Sequence, residues 1–331
     1  MGRLRRAAVL AAGGALAGYG ATRWLRAKRD GGEQGDFFAG AGIPQTVDIG
    51  TTEIELPILY HRTDCSFGVF SADLDATRAE LPSDRLHPVT VPGGRAAIAV
   101  VSYNYIETGV GPYGEIGVAA LCTIDREAPP VLPAMLEARY PGFGAFVLHL
   151  PVTTRIAREA GRVVWGYPKF VADMAFDFRP EVHRVELRED GQDVLSLDVE
   201  RRGRVIQDRK PIVTYSENDG ALIRTELPVR STYHAGIGRS YGRLELGDHP
   251  VAKELRALDL STESIATKSY VDHAAILPAG QIIGDTDRPY GGFEGSTAKT
   301  GRHTIRYAGG PEYVVTEASV PDSGRESLTA E

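Results

Sequence analysis

The stretch Trp165-Gly166-Tyr167-Pro168-Lys169-Phe170 sets a lysine directly after a proline and between aromatic rings. Lysine is strongly hydrated and is almost never fully buried without a partner. Apolar surroundings disfavour its charged form and raise the share of neutral amine. A neutral amine adds to ketones and aldehydes, which opens Schiff-base chemistry. The plainer reading is a strand-edge lysine whose stem lies on Tyr167 or Phe170 while its ammonium stays in water. Taken alone, the six residues favour the plainer reading. Glu115 is the first carboxylate candidate. It follows the Gly-rich turn Gly111-Pro-Tyr-Gly114 and opens an apolar run. There it either ends an exposed strand or carries a proton inside a cavity. Glu107 is the second candidate.

Other chemistries find little purchase. The eight histidines are scattered, and no HExxH, CxxC or His/Asp cluster stands at metal-ligand spacing. Neither a Walker motif, a Rossmann fingerprint nor a Gly-x-Ser-x-Gly elbow is present. The net charge is −7, and residues 1–29 are purely basic, so the body is more acidic still. An acidic body gives no support for nucleic-acid binding. Cys65 and Cys122 make no disulfide framework and read as two buried thiols.

The elements that must position Lys169 and Glu115 read as many short strands with a few short helices. Residues 54–60 alternate with period two, and Cys65–Phe70 is a further apolar run. Ser71–Pro82 reads as a helix with a Ser or Asp cap, stopped by proline. Arg95–Tyr105 is an apolar strand, and a second runs through Glu115, Val118 and Leu121. A helix is predicted between prolines at 133–140. Phe146, Leu148, Leu150 and Val152 alternate, and Thr154 caps a short helix over 156–160. Asp190-Gly191 marks a tight hairpin. Asp248 caps a helix over 248–258 that carries the stripe Val251, Leu255 and Leu258. Ala274–Ile283 is a strand broken by Pro-Ala-Gly. Without regular βαβ alternation or an internal repeat, an α+β, mainly-β domain results, with a closed barrel as one arrangement.

The ends stand apart. Arg3, Arg5 and Arg6 precede a small apolar stretch from Ala7 to Ala21, and a second basic cluster follows to Arg29. A cleaved signal, a signal-anchor and an amphiphilic segment lying on the membrane all stay open. Positive charge on both flanks favours membrane association over secretion; a cytoplasmic location is the alternative. The domains are therefore expected as a membrane or targeting segment with linker over 1–35, a catalytic-type domain over 36–315, and a disordered polar tail over 316–331.

Gly161-Arg162 followed four residues later by Tyr167-Pro168-Lys169 resembles the active-site signature of the acetoacetate decarboxylase family. Ala72–Pro82 is similar to that family's early helix, and Gly111-Pro-Tyr113-Gly-Glu115 to its Tyr-x-Glu segment. Arg243–His249 and Ile276–Pro278 resemble its C-terminal part. The resemblance implies a conical, barrel-like α+β fold and a homo-oligomer. It implies a lysine nucleophile, Lys169, that forms an iminium with a keto acid or another small carbonyl compound, with Glu115 as proton carrier and no cofactor or metal. Arg62 falls near the family's substrate-associated arginine, and Tyr113, Trp165, Tyr167 and Phe170 are the expected substrate walls. Two positions depart from the pattern. Phe170 stands where the family has a second lysine, and Val100 where it has a further glutamate. Both exchanges imply a larger or more apolar β-keto acid than acetoacetate. Decarboxylation, aldol-type condensation or dehydration, and non-catalytic binding of an apolar ligand are the three activities the resemblance leaves.

Overall fold

The computed structural model describes residues 37–295 and 300–315. The membrane expectation for 1–29 and the tail expectation for 316–331 concern residues outside these. Among the described residues, no helix is long and apolar enough to cross a membrane.

The mainly-β expectation holds. One large sheet runs in the order Arg204–Asp208, Val229–Ile237, Ala266–Leu277, Ile58–Ala72, Arg95–Thr108, Tyr113–Ile124, Phe143–His149, Ile212–Asn218, Ala221–Leu227 and Gln281–Asp285. Among the described residues its two end strands form no ladder with each other, so the barrel-like expectation takes the form of a long sheet there. A second sheet runs Gly242–Leu246, Gln192–Glu200, Val182–Glu189, Asp173–Phe178, His303–Tyr307 and Glu312–Val315. Most neighbours are antiparallel, which suits the short turns read from the sequence. The Asp190-Gly191 turn forms as expected, with both residues at positive φ.

Strand alternation sends neighbouring side chains into separate buried clusters. Phe70, Ile98, Val100, Ile116 and Phe146 leave the large sheet on one face and meet Phe176, Leu187 and Leu197 of the second sheet. Tyr60, Tyr105, Tyr113 and Val147 belong to a separate cluster, with Leu150, Trp165 and Tyr167. The helix Arg155–Trp165 adds Ala157, Ala160 and Val164 to that second cluster. Cys65 and Cys122 are buried free thiols.

Several boundaries differ from expectation. The helix expected over 156–160 continues to Trp165, because burial of its apolar stripe outweighs the modest helix propensity of Val163 and Val164. It stops at Gly166, whose φ of 65° is the left-handed cap conformation, and the cap N–H reaches the carbonyls of Arg162 and Gly161. The helix Pro250–Ala257 is capped by His249 rather than Asp248: the imidazole accepts from the Val251 N–H at 3.2 Å. Asp248 is exposed and engages Lys253 instead.

Candidate active site

Beyond Gly166 the chain cannot continue as helix, because Pro168 lacks an N–H and restricts the residue before it. Residues 168–172 instead run beside 150–152. Leu150 N–H donates to Pro168 O, Val152 N–H to Phe170 O and Ala172 N–H to Val152 O. On its other side this inner segment bonds the start of strand Tyr113–Ile124, where Ile116 N–H donates to Pro151 O and Val152 bridges Glu115. Three extended segments thus bring together Lys169 and Glu115, which lie 54 positions apart in the chain.

Lys169 Nζ lies 2.6 Å from Glu115 Oε2, and the two side chains are only 6% and 7% exposed. The other carboxylate oxygen, Oε1, accepts from the Tyr105 hydroxyl at 3.1 Å. Tyr60 and Tyr113 share a hydroxyl hydrogen bond of 3.0 Å. The Lys169 ammonium stands 5.6 Å from the centre of the Tyr113 ring, within cation–π range. Tyr105 is wedged between rings: Tyr60 at 4.4 Å, Tyr113 at 4.7 Å and Tyr103 at 5.1 Å. Burial raises the titration of Tyr60, Tyr103, Tyr105 and Tyr113 above that of ordinary phenols, with the Glu115 charge adding in the same direction. All four stay protonated donors at neutral pH.

The lysine is held along its whole length. Its stem crosses the helix at Gly161, where a Cβ would stand 2.4 Å from Lys169 Cδ. Only glycine leaves that room, which gives the glycine of the Gly-Arg-x4-Tyr-Pro-Lys pattern a steric reason. The arginine next to it serves the backbone: Arg162 Nε donates to Lys169 O at 2.5 Å and its terminal amine to Phe293 O at 3.1 Å. Tyr167 turns its hydroxyl to Thr214 at 2.7 Å, and Trp165 donates its indole N–H to Pro278 O at 2.8 Å. Their rings stack at 6.0 Å.

One expected wall residue lies elsewhere. Phe170 is fully buried but faces the core between the sheets, against Phe293 at 4.9 Å and His249 at 6.5 Å. Neighbours in an extended chain point to opposite sides, so Lys169 and Phe170 cannot share a pocket. Val100 belongs to that same other core. Arg62 is exposed and stands opposite the exposed Glu107 in the ladder. Register irregularities on both sides of Arg62 turn Tyr60 inward in its place. Neither Arg62 nor Glu107 joins Lys169. The residues missed from the sequence are Tyr60, Tyr103 and Tyr105. The i, i+2 spacing of Tyr103 and Tyr105 on one strand, opposite Glu115 and Tyr113, is the signal that could have found two of them.

The family model for acetoacetate decarboxylase matches residues 49–285. No curated protein sequence matches significantly. Among solved structures, the acetoacetate decarboxylase of Legionella pneumophila subsp. pneumophila str. Philadelphia 1 is similar at 18% identity and a TM-score of 0.53, over 69% of this chain and 88% of that one. Another acetoacetate decarboxylase structure is similar at 20% identity and 0.53, over 69% and 90%. The enduracididine biosynthesis enzyme MppR, complexed with the condensation product of pyruvate and imidazole 4-carboxaldehyde, is similar at 16% and 0.52, over 69% and 90%. At such identities the solved structures speak for the fold. The family match spans well over half of the sequence, and on it the chain belongs to the acetoacetate decarboxylase family.

Proposed function

We propose that the protein is a Schiff-base enzyme for a small carbonyl compound, with Lys169 as nucleophile and Glu115 as proton carrier, and that its reaction is decarboxylation of a β-keto acid. The observation that carries this reading is the 2.6 Å contact between two almost fully buried, oppositely charged groups. A buried ion pair is a poor source of stability, because desolvation offsets its attraction. It is a good store for one movable proton. Passing that proton from Nζ to Oε2 leaves an amine with a free electron pair.

The steps balance as follows. The amine adds to the ketone carbon, the carbonyl oxygen takes one proton from the amine and one from Glu115 and leaves as water, and an iminium forms on Lys169. The bond to the carboxylate breaks, its electron pair enters the iminium, and CO₂ departs from an enamine. Glu115, reprotonated from solvent, gives that proton to carbon. Water then adds, the carbon–nitrogen bond breaks, and the ketone leaves with the amine restored. The tyrosines around the pair supply hydroxyl donors without adding charge, which fits an apolar keto acid better than a more highly charged one.

Condensation or dehydration through the same iminium is the second reading. Its support is the similarity to MppR, whose structure holds a condensation product. Borohydride reduction in the presence of β-keto acids, followed by peptide mass spectrometry, tests both. The expected result is added mass on Lys169, with CO₂ release for decarboxylation and none for condensation. Binding of a keto acid without any adduct would point to a non-catalytic, ligand-binding member of the family.

A further inference from the structure

Tyr103 is the direct cross-strand partner of Glu115. Their side chains therefore leave the sheet side by side, about 5 Å apart at Cβ. The Tyr103 ring lies flat on Tyr105, at 5.1 Å and an interplanar angle of 7°, and Tyr105 is the residue that bonds Glu115. His273 also neighbours it, with ring centres 5.9 Å apart, and is itself fixed by Ser231 at 2.8 Å. Two fixed rings thus hold it in place.

Its hydroxyl differs from those around it. Tyr105 donates to Glu115, while Tyr60 with Tyr113 and Tyr167 with Thr214 pair hydroxyl to hydroxyl, one donating and one accepting. Among the described residues the Tyr103 hydroxyl has no hydrogen-bond partner. Tyr103 also keeps partial exposure, whereas Tyr60, Tyr105 and Tyr113 are buried. A fixed, reachable, unspent donor beside Glu115 calls for an acceptor that a ligand brings. Neither position at which the resemblance implies a further cation supplies one here, since Phe170 faces the other core and Arg62 is exposed.

We propose that Tyr103 is a substrate-contacting residue whose O–H donates to the carboxylate of a keto acid held at Lys169. The proposal rests on the Lys169 reading and adds the substrate class: a monocarboxylic keto acid recognised by a neutral donor rather than by a salt bridge. Removing the oxygen leaves no protein group unsatisfied, so Tyr103→Phe should keep its fold and melt with the wild type.

The test compares benzoylacetate with acetophenone, which lacks the carboxylate. Borohydride adducts on Lys169, before or after CO₂ loss, are titrated by mass spectrometry in wild type and Tyr103→Phe. The expected result is a half-saturating concentration for the acid raised about tenfold or more, with that for the ketone moved by less than about twofold, because a lost hydrogen bond to a charged group is worth that much. Equal shifts for the two probes, or no shift, would overturn the proposal. If the wild type traps neither probe, the Lys169 reading fails by itself. Calorimetric titration of benzoylacetate then decides on Tyr103: binding weakened about tenfold in the variant upholds the contact, and equal or undetectable binding refutes it.

Discussion

Lys169 lies 2.6 Å from Glu115, and Lys268 lies 2.6 Å from Glu137. The contacts have the same length and chemistry but different surroundings. At Lys268 the two side chains are 22% and 24% exposed, and Lys210 also reaches Glu137 at 2.7 Å. That glutamate has two cations and access to water. Among the described residues Glu115 has one cation and one phenol, and almost none of its surface meets water. Distance alone would rank the pairs equal. Burial separates them, because only the buried pair has no solvent to take over when one partner changes its proton. The teaching for other chains is that a short lysine–glutamate contact signals chemistry only once its desolvation is known.

The sharpest break comes from deleting each lysine. Lys169→Met leaves Glu115 buried without a counter-charge and should cost about 3–5 kcal/mol in denaturant unfolding, with the borohydride adduct abolished. Lys268→Met leaves Glu137 its second lysine and water, and should cost about 1 kcal/mol or less, with the adduct retained. Replacing both members, Lys169→Met with Glu115→Leu, should recover most of the stability. Equal losses for the two single variants would dissolve the contrast.

Acid should find the desolvated interior as well. Burial, the first cause in each case, pulls His183, His273 and His303 down to about 4. An unfolded histidine takes up its proton near pH 6.5. Between those values the unfolded chain binds protons that the folded chain refuses, so stability is complete above about 6.5 and falls as pH drops toward 4. Each histidine contributes on the order of 3 kcal/mol to that fall. Urea unfolding in buffers across this window should show the decline, and His273→Gln should flatten it by one histidine's share. A flat profile in the wild type would mean that these imidazoles are not desolvated as the structure has them.

How much of this was readable beforehand follows the same division. Period-two alternation located the long strands, and Asp190-Gly191 located a turn, because those signals are local. The pairing of Lys169 with Glu115 came through family resemblance; no local pattern joins residues that far apart in the chain. What faces the lysine was not legible. Tyr60 points inward and Arg62 outward because the register slips on each side of Arg62. Phe170 leaves the site because an extended backbone alternates, whereas the adjacent letters read as one aromatic cage. Helix Arg155–Trp165 outran its expected end because packing of Val164 and Trp165 decided against propensity.

Moving the lysine without removing it gives a smaller, cleaner effect. In Gly161→Ala the new methyl would stand 2.4 Å and 2.5 Å from Lys169 Cδ and Cε, so the stem must shift away from Glu115. Alanine is the better helix residue by about 1 kcal/mol, which offsets part of the strain. Stability should therefore change little while the rate of adduct formation drops about tenfold, as misplaced reacting groups cost rate steeply. A parallel loss of fold and rate would assign Gly161 to packing alone.

The smallest predicted effect separates the second partner of each glutamate. Tyr105 holds Glu115 Oε1 at 3.1 Å, and Lys210 holds Glu137 Oε2 at 2.7 Å. By charge and distance, Lys210 should matter more. By burial, Tyr105 should. A double-mutant cycle of Tyr105→Phe with Glu115→Gln is expected to give a coupling of about 1 kcal/mol, the net worth of a well-made hydrogen bond to a desolvated group. The cycle of Lys210→Met with Glu137→Gln is expected to give about half of that or less, since solvent screens the partly exposed pair. The order of the two couplings is the decisive quantity. If the lysine couples more strongly than the phenol, Coulomb attraction governs both sites and the buried pair loses its distinction. If the phenol couples more strongly, the uncharged tyrosines around Glu115 fix which of its oxygens faces the amine.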